Sequence, residues 1–203
     1  MNSSIVQGHI DLVEDNAYLR ESLSRVLINE GYTVDTWADA HQFLNHISET
    51  VPAVIVTDMR MPELSGLQMH AELLKRGRLR PVIYISGEST VQQTIDAMKL
   101  GAADFLVKPF SVDELLQAVA AGMDKDAQKM KSLTAQARAQ EAMRALTNRE
   151  REVFQLLLKG MSNAEIMDAM GISLPTAKQY QSSVMQKLSV RTLSQLMELG
   201  VSN

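Results

Sequence analysis

Five residues carry groups that together could perform phosphoryl transfer: Glu14, Asp15, Asp58, Ser86 and Lys108. Each stands at the carboxyl end of a short apolar run. Glu14 and Asp15 follow Ile10–Val13, and Asp58 follows Ala53–Thr57 (AVIVT). Ser86 closes Pro81–Ile85 (PVIYI), and Lys108 closes Asp104–Val107 (DFLV). Carboxylates gathered in one crevice repel one another unless a cation joins them, and hard oxygen ligands with open water positions suit Mg2+. With Mg2+ and the Lys108 ammonium neutralising charge, a carboxylate can attack phosphorus while the Ser86 hydroxyl contacts the phosphoryl group. Taken singly, a strand-end carboxylate is usually a cap or a solvated turn residue. Five such groups at successive run ends are poorly explained that way. Lys108 precedes Pro109, and an X–Pro bond in a tight turn can be cis.

The elements that must position these groups are legible as well. The four runs above, with Thr33–Trp37, make five candidate strands, and three of them (AVIVT, PVIYI, DFLV) are nearly unbroken apolar stretches. Such runs suit central strands of a parallel sheet covered on both faces. Helical patterns lie between them. Asn16–Glu30 carries Leu19, Leu23, Val26 and Leu27 on one face and stops at Gly31, as a C-terminal cap requires. Strands alternating with helices predict a doubly wound α/β domain with a five-stranded parallel sheet, in which strand carboxyl ends meet at a ligand crevice. Arg60 and Glu88, two residues beyond Asp58 and Ser86, should flank the mouth of that crevice, where an ion pair between them would restrict hydrolytic water.

The rest of the chain reads differently. Residues 1–125 carry 10 Lys+Arg against 17 Asp+Glu, whereas residues 126–203 carry 10 against 7. An acidic half joined to a basic half suggests two domains with different partners, the second a polyanion. Lys125–Ala145 is rich in Ala, Gln, Lys and Met and lacks Pro and Gly, which predicts a helical linker. Three capping-box pairs follow, Thr147–Glu150, Ser162–Glu165 and Thr192–Gln195, and Ser173 with Pro175 marks a further helix start. Four short helices are the scale of a helix-turn-helix domain. Within Leu174–Leu188, Pro175, Lys178, Gln179 and Ser182 form one polar stripe, with Ala177, Val184 and Leu188 on the opposite side. Lys can contact guanine or phosphate, and Gln can pair with adenine, in a DNA major groove.

Composition narrows the classes. The chain has 203 residues and no cysteine, which excludes disulfide frameworks, zinc ribbons and thiol nucleophiles. The four histidines, His9, His41, His46 and His70, have no Cys or His partner at metal spacing, which argues against zinc. No uncharged run approaches a membrane span and no secretory signal is visible, so a cytoplasmic protein with no membrane partner is expected.

Read in order, LVEDN, VTDMRMPELSG, YISG and DFLVKPF resemble the receiver domain of two-component response regulators, with Asp58 28 residues before Ser86 and 50 before Lys108. The resemblance implies a flavodoxin-like fold and a Mg2+-dependent transfer of phosphate to Asp58 from a phosphohistidine on a sensor histidine kinase. It implies that Asp15 and Asp58 bind Mg2+ directly, Glu14 through water, and Arg60 by its backbone carbonyl. Ser86 would reach for the phosphoryl group and Phe105, at the switch-aromatic position, would turn inward. LTNREREVFQLLLKGMSNAEIMDAMGIS followed by TAKQYQSSVMQKLSVRT resembles the LuxR-type helix-turn-helix of NarL/FixJ-type regulators, over Leu146–Leu199. That likeness implies a small all-α domain whose third helix reads double-stranded DNA and whose fourth, Thr192–Leu199, dimerises. By motif position Lys178, Gln179 and Ser182 face bases or phosphates, with Thr176, Lys187 and Arg191 nearer the backbone. Ala177, Tyr180, Met167 and Pro175 depart from the family's commonest residues. The expected division is 1–124 receiver, 125–144 helical linker and 145–203 helix-turn-helix. The expected function is a non-enzymatic, phosphorylation-controlled transcription regulator that forms a homodimer on activation, with RNA polymerase a further candidate partner. Two other functions compete with this one. A helical output domain that binds protein or RNA would leave LTNRERE and MSNAEI unexplained. A small phosphatase with an aspartyl nucleophile would want Asp-x-Asp where this chain has Glu14–Asp15.

Overall fold

The computed structural model describes residues 8–47, 52–87 and 90–201. Internal contacts divide the chain into two compact units, Met1–Lys131 and Ser132–Asn203. In the first, strands β1 (His9–Val13), β2 (Thr33–Trp37), β3 (Ala53–Asp58), β4 (Val82–Ser86) and β5 (Asp104–Val107) form one sheet in the order β2-β1-β3-β4-β5. Every neighbouring pair is parallel. The order reverses at β1, whose two neighbours are β2 and β3, so the crevice between the carboxyl ends of β1 and β3 is a topological switch point. Asp58 and Ser86 are the last residues of their strands; Asp58 was expected just beyond one.

Alternation along the central strands explains their apolar runs. Ile10, Leu12, Val54, Val56, Ile83 and Ile85 point to one face, against Leu23 and Leu27 of α1 (Ala17–Asn29) and Leu115 and Val119 of α5 (Val112–Arg144). Val13, Ile55, Val82 and Tyr84 point to the other, against Phe43 of α2 (Ala40–Asn45), Met69 and Leu73 of α3 (Gly66–Lys75) and Ala97 of α4 (Val91–Lys99). Burying each of the larger side chains contributes about 1.5–3 kcal/mol. Asn16 caps α1, accepting from the Tyr18 and Leu19 amides, and Gly31 follows in left-handed geometry (φ 93°). Helix α5 is a single 33-residue element, so the expected linker segment continues the receiver's last helix and the boundary between the two units falls inside it.

The second unit contains α6 (Asn148–Leu158), α7 (Asn163–Met170), α8 (Leu174–Lys187) and α9 (Leu193–Val201). Capping boxes at Thr147–Glu150 and Ser162–Glu165 are complete, and Ser173 caps α8 with Pro175 in its first turn. The third box forms by half. Thr192 Oγ1 accepts from the Gln195 amide, but Gln195 Oε1 accepts from the backbone of Arg191, one residue upstream of the expected cap. Val153, Leu157, Ile166, Ala177, Val184 and Leu196 make the core. Among the described residues no helix is long and apolar enough to cross a membrane.

Candidate functional site

The strand ends converge as their sequence positions require. One oxygen from each of Glu14, Asp15 and Asp58 lies within 4.8 Å of the others. Glu14 is buried, and its Oε1 accepts from the Asn16 amide at 3.1 Å, which fixes the turn leaving β1. Lys108 reaches across the crevice from the end of β5. Its Nζ donates to Asp58 Oδ2 at 2.8 Å and to Glu14 Oε2 at 3.0 Å. Asp58 Oδ1 accepts from the Arg60 amide at 3.1 Å, so the Asp58 side chain is held from both sides. The Lys108–Pro109 peptide is cis.

Charge in this pocket is finely balanced. Burial pushes the Glu14 carboxyl above its ordinary range and the Asp58 charge adds to that, while the Lys108 hydrogen bond opposes both. Burial also works against the Lys108 ammonium, yet its hydrogen bonds to Asp58 and Glu14 hold its pKa above the usual lysine value. Three carboxylates against one ammonium leave the pocket negative, and a divalent cation with oxygen preference fits such a donor set. Ser86 is buried and, among the described residues, its Oγ has no hydrogen-bond partner. A buried hydroxyl without a partner is costly, so a ligand oxygen entering the pocket would be a favourable acceptor for it.

The backbone helps to aim Asp58. Gly66 opens α3 directly against the end of β3, its amide donating to the Met59 carbonyl. A Cβ at Gly66 would lie 2.4 Å from the Asp58 carbonyl oxygen, so only glycine permits this approach. Phe105 is half-buried, with its ring 6.3 Å from that of Tyr84, whose hydroxyl meets Nδ1 of buried His70 at 2.9 Å. Sequence reasoning picked out Phe105 and missed Tyr84 and His70, because an apolar-looking strand hides a side-chain partner fourteen residues away. Glu88 lies outside the described residues, and the expected Arg60–Glu88 pair with it.

In the helical unit Pro175, Lys178, Gln179 and Ser182 are all exposed on one face of α8, and Ala177 and Val184 are buried on the other. Gly171 turns the chain between α7 and α8 in left-handed geometry (φ 63°). Of the residues that depart from the family's commonest types, Ala177 is in the core, and Met167 and Tyr180 pack against it. Those three therefore seat α8 on its core rather than form its exposed stripe. Gln181, Met185 and Gln186 line a shallow groove with Lys178 and Ser182, a continuation of the stripe that periodicity alone did not include. Thr176 is half-buried and Arg191 exposed. Lys187 is partly withdrawn: its Nζ donates to Glu150 Oε2 at 2.7 Å and to the Ala145 carbonyl at 3.3 Å.

Comparison with known proteins places both units. Residues 10–120 match the response regulator receiver domain, and residues 144–199 match the bacterial regulatory proteins of the luxR family. The transcriptional regulatory protein FixJ of Azorhizobium caulinodans is 34% identical over 192 residues, covering 95% of this chain and 91% of that protein. The solved structure of the response regulator StyR is 33% identical with a TM-score of 0.86, over 96% of this chain and 98% of that one. Full-length FixJ from B. japonicum is 32% identical with a TM-score of 0.61, over 97% of each chain. The chain belongs to the two-component response regulators of the NarL/FixJ type, transcription regulators that join a receiver domain to a LuxR-type DNA-binding domain.

Proposed function

We propose that Asp58 accepts a phosphoryl group from a phosphohistidine of a sensor histidine kinase, and that this controls dimerisation and sequence-specific binding to double-stranded DNA. The observation that carries the reading is the Lys108 ammonium bridging Asp58 and Glu14 beside the unpartnered Ser86 hydroxyl. Asp58 Oδ2 attacks phosphorus, the phosphorus–nitrogen bond breaks, and the imidazole leaves on the kinase. Lys108 then follows the new phosphoryl oxygens, and Ser86 donates its hydroxyl hydrogen to one of them. Glu14, Asp15 and Asp58, with the Arg60 carbonyl, would hold Mg2+, which when bound neutralises charge on the phosphoryl oxygens. The chain modifies itself and turns over no separate substrate. We assign residues 1–124 to reception, 125–144 to the helical linker and 145–203 to DNA binding, in the cytoplasm, with RNA polymerase the further protein that a promoter-bound dimer meets.

An aspartyl phosphate adds roughly −1.5 to −2 charges and would repel DNA placed beside it, so its influence must travel through the protein. Ser86 and Phe105 lead toward α4 and β5, where an apolar strip is exposed: Val91 at 79%, Ile95 at 42%, Met98 at 49% and Val107 at 57%. Val91, Ile95 and Met98 recur at i, i+4 and i+7, one stripe of α4. Covering that strip with a second copy is the dimerisation we expect, with a coupling to phosphorylation of ~1–3 kcal/mol. Sedimentation with acetyl phosphate and Mg2+ should move the population from monomer to dimer. A monomer fraction that phosphodonor leaves unchanged contradicts the coupling.

Thr176, Lys178, Gln179, Ser182, Lys187 and Arg191 are the DNA-facing set we assign, with Lys187 subordinate because its ammonium is already held by Glu150. Lys178→Ala should weaken binding to every sequence and flatten the salt dependence by about one unit per monomer if its contact is to phosphate. Gln179→Ala should cost about 1–3 kcal/mol at the cognate site and little elsewhere. Gel shifts on cognate and scrambled duplexes separate the two. No change in either variant on either duplex would move the reading to a protein- or RNA-binding output domain.

A further inference from the structure

At the opposite, amino-terminal ends of β1 and β2 lies a second polar cluster that phosphoryl transfer does not use. His9 and Asp11 alternate on β1, and Thr33 and Asp35 are their register partners on β2. His9 and Asp11 are buried, Asp11 completely, whereas the Asp35 side chain is 58% exposed. The hydrogen bonds fix the histidine tautomer. Thr33 Oγ1 donates its one hydrogen to the Gly8 carbonyl, so it must accept from Nδ1–H of His9, 3.2 Å away. In the neutral ring the lone pair therefore sits on Nε2. Among the described residues that nitrogen has no hydrogen-bond partner, and it faces Asp11 Oδ1 at 3.5 Å and Asp35 Oδ2 at 3.6 Å. One ligand atom from each of the three residues thus lies within 4.8 Å of the others between two adjacent strands, and with the ring neutral these electron-rich atoms repel one another unless a cation stands there.

We propose that His9 Nε2, Asp11 and Asp35 bind a divalent transition-metal ion of the zinc class, at a site separate from the carboxylate pocket around Asp58. The separations of 3.5 and 3.6 Å are too long for hydrogen bonds. They match the spacing of ligands about 2.1 Å from a tetrahedral ion, which lie about 3.4 Å apart. An imidazole among the ligands selects zinc, cobalt, nickel or copper over Mg2+. The surrounding contacts are those that orient metal ligands. Thr33 holds the His9 ring, and Trp37 Nε1–H donates to Asp11 Oδ1 at 3.0 Å. Arg80 stands 3.5 Å from the other Asp11 oxygen, Oδ2, and offsets part of the carboxylate charge. Burial pushes the Asp11 carboxyl above its ordinary range and Trp37 and Arg80 offset this only in part, so a cation on Oδ1 would favour its charged form. Exposed Asp35 leaves a way in and room for a water as fourth ligand. Because β2 is an edge strand, a bound ion would pin it to β1.

The test uses the full chain in excess Mg2+, so that the Asp58 pocket is saturated with its own ion. Titration with Co2+ should give the visible absorption of a tetrahedral site at one equivalent, abolished by Zn2+, and equimolar Zn2+ should raise the thermal midpoint. Asp58→Asn should leave both signals unchanged. His9→Gln and Asp35→Asn should weaken the metal at least tenfold. Asp35 is exposed, so its variant decides the matter even if His9→Gln does not fold. No cobalt spectrum in the wild type, a spectrum that survives Asp35→Asn, or one lost in Asp58→Asn would overturn the proposal. So would a stability that responds to the charge on His9 as pH is lowered but not to metal, which would make the cation a proton.

Discussion

Asp58→Asn is expected to take no label from acetyl phosphate or phosphoramidate while melting like the wild type. The amide is nearly isosteric, and its one oxygen can keep the Lys108 ammonium, now 2.8 Å from Oδ2, at the expense of the single hydrogen bond that Oδ1 accepts from the Arg60 amide. It has no anionic oxygen to attack phosphorus, and it removes one of three carboxylates from a pocket where Asp58 already raises the pKa of Glu14. Function and stability should therefore separate: loss of the nucleophile abolishes labelling, and relief of repulsion protects the fold. Labelling of Asp58→Asn at the wild-type rate would remove Asp58 as the acceptor.

The second large effect is expected at Glu150. This carboxylate is buried at the start of α6, yet fully engaged: Oε2 accepts from the Thr147 amide and from Lys187 Nζ, each at 2.7 Å, and Oε1 accepts from the Ser183 hydroxyl. It caps α6 and ties it to α8 at once. Glu150→Ala should destabilise the helical unit by about 2–4 kcal/mol, since it removes a cap and several charge-assisted bonds and strands their partners. Glu150→Gln, which keeps the shape, should lose less. Urea unfolding followed by far-ultraviolet circular dichroism measures this, and fluorescence of Trp37, the one tryptophan, follows the receiver and should shift less. The Lys187 and Ser183 hydrogen bonds, with the Thr147 amide, hold the Glu150 carboxyl down from 4.5 to about 2. A pKa lowered by folding means the stabilisation is complete above the unfolded value and is lost as pH falls from there through the folded one. The helical unit should thus weaken between about pH 4.5 and 2 in the wild type, and Glu150→Gln should flatten that slope. An unchanged slope would make Glu150 a spectator.

The receiver pocket was legible because each of its groups stands at the end of an apolar run, and a parallel sheet brings run ends together whatever lies between them. Asp58 and Lys108 needed only strand order to meet Glu14, and Ser86 to end the neighbouring strand. The outer face of α8 was legible for a similar reason, since a helical period is local. What escaped were contacts between side chains far apart in sequence. Glu150 could be read as a capping residue, but not as the partner of Ser183 and Lys187, 33 and 37 residues on. Tyr84 reads in the sequence as one more apolar strand residue, and only the fold brings His70 to its hydroxyl. His9 lacks a Cys or His partner in the sequence; its neighbours are carboxylates, Asp11 two residues on along the same strand and Asp35, which only the β1–β2 register reveals. The continuity of α5 was equally hidden, because a composition that favours helix shows no boundary where the receiver's own helix ends.

We propose that phosphate on Asp58 governs DNA binding by the helical unit. The most direct measurement is a gel-shift titration of the full chain on a cognate duplex, with and without acetyl phosphate and Mg2+, repeated with Asp58→Asn. We predict that phosphodonor tightens wild-type binding roughly 5- to 150-fold, the range of a ~1–3 kcal/mol coupling. Asp58→Asn should stay at the unphosphorylated affinity throughout. Equal wild-type affinities with and without phosphodonor, or the same tightening in Asp58→Asn, would contradict the account.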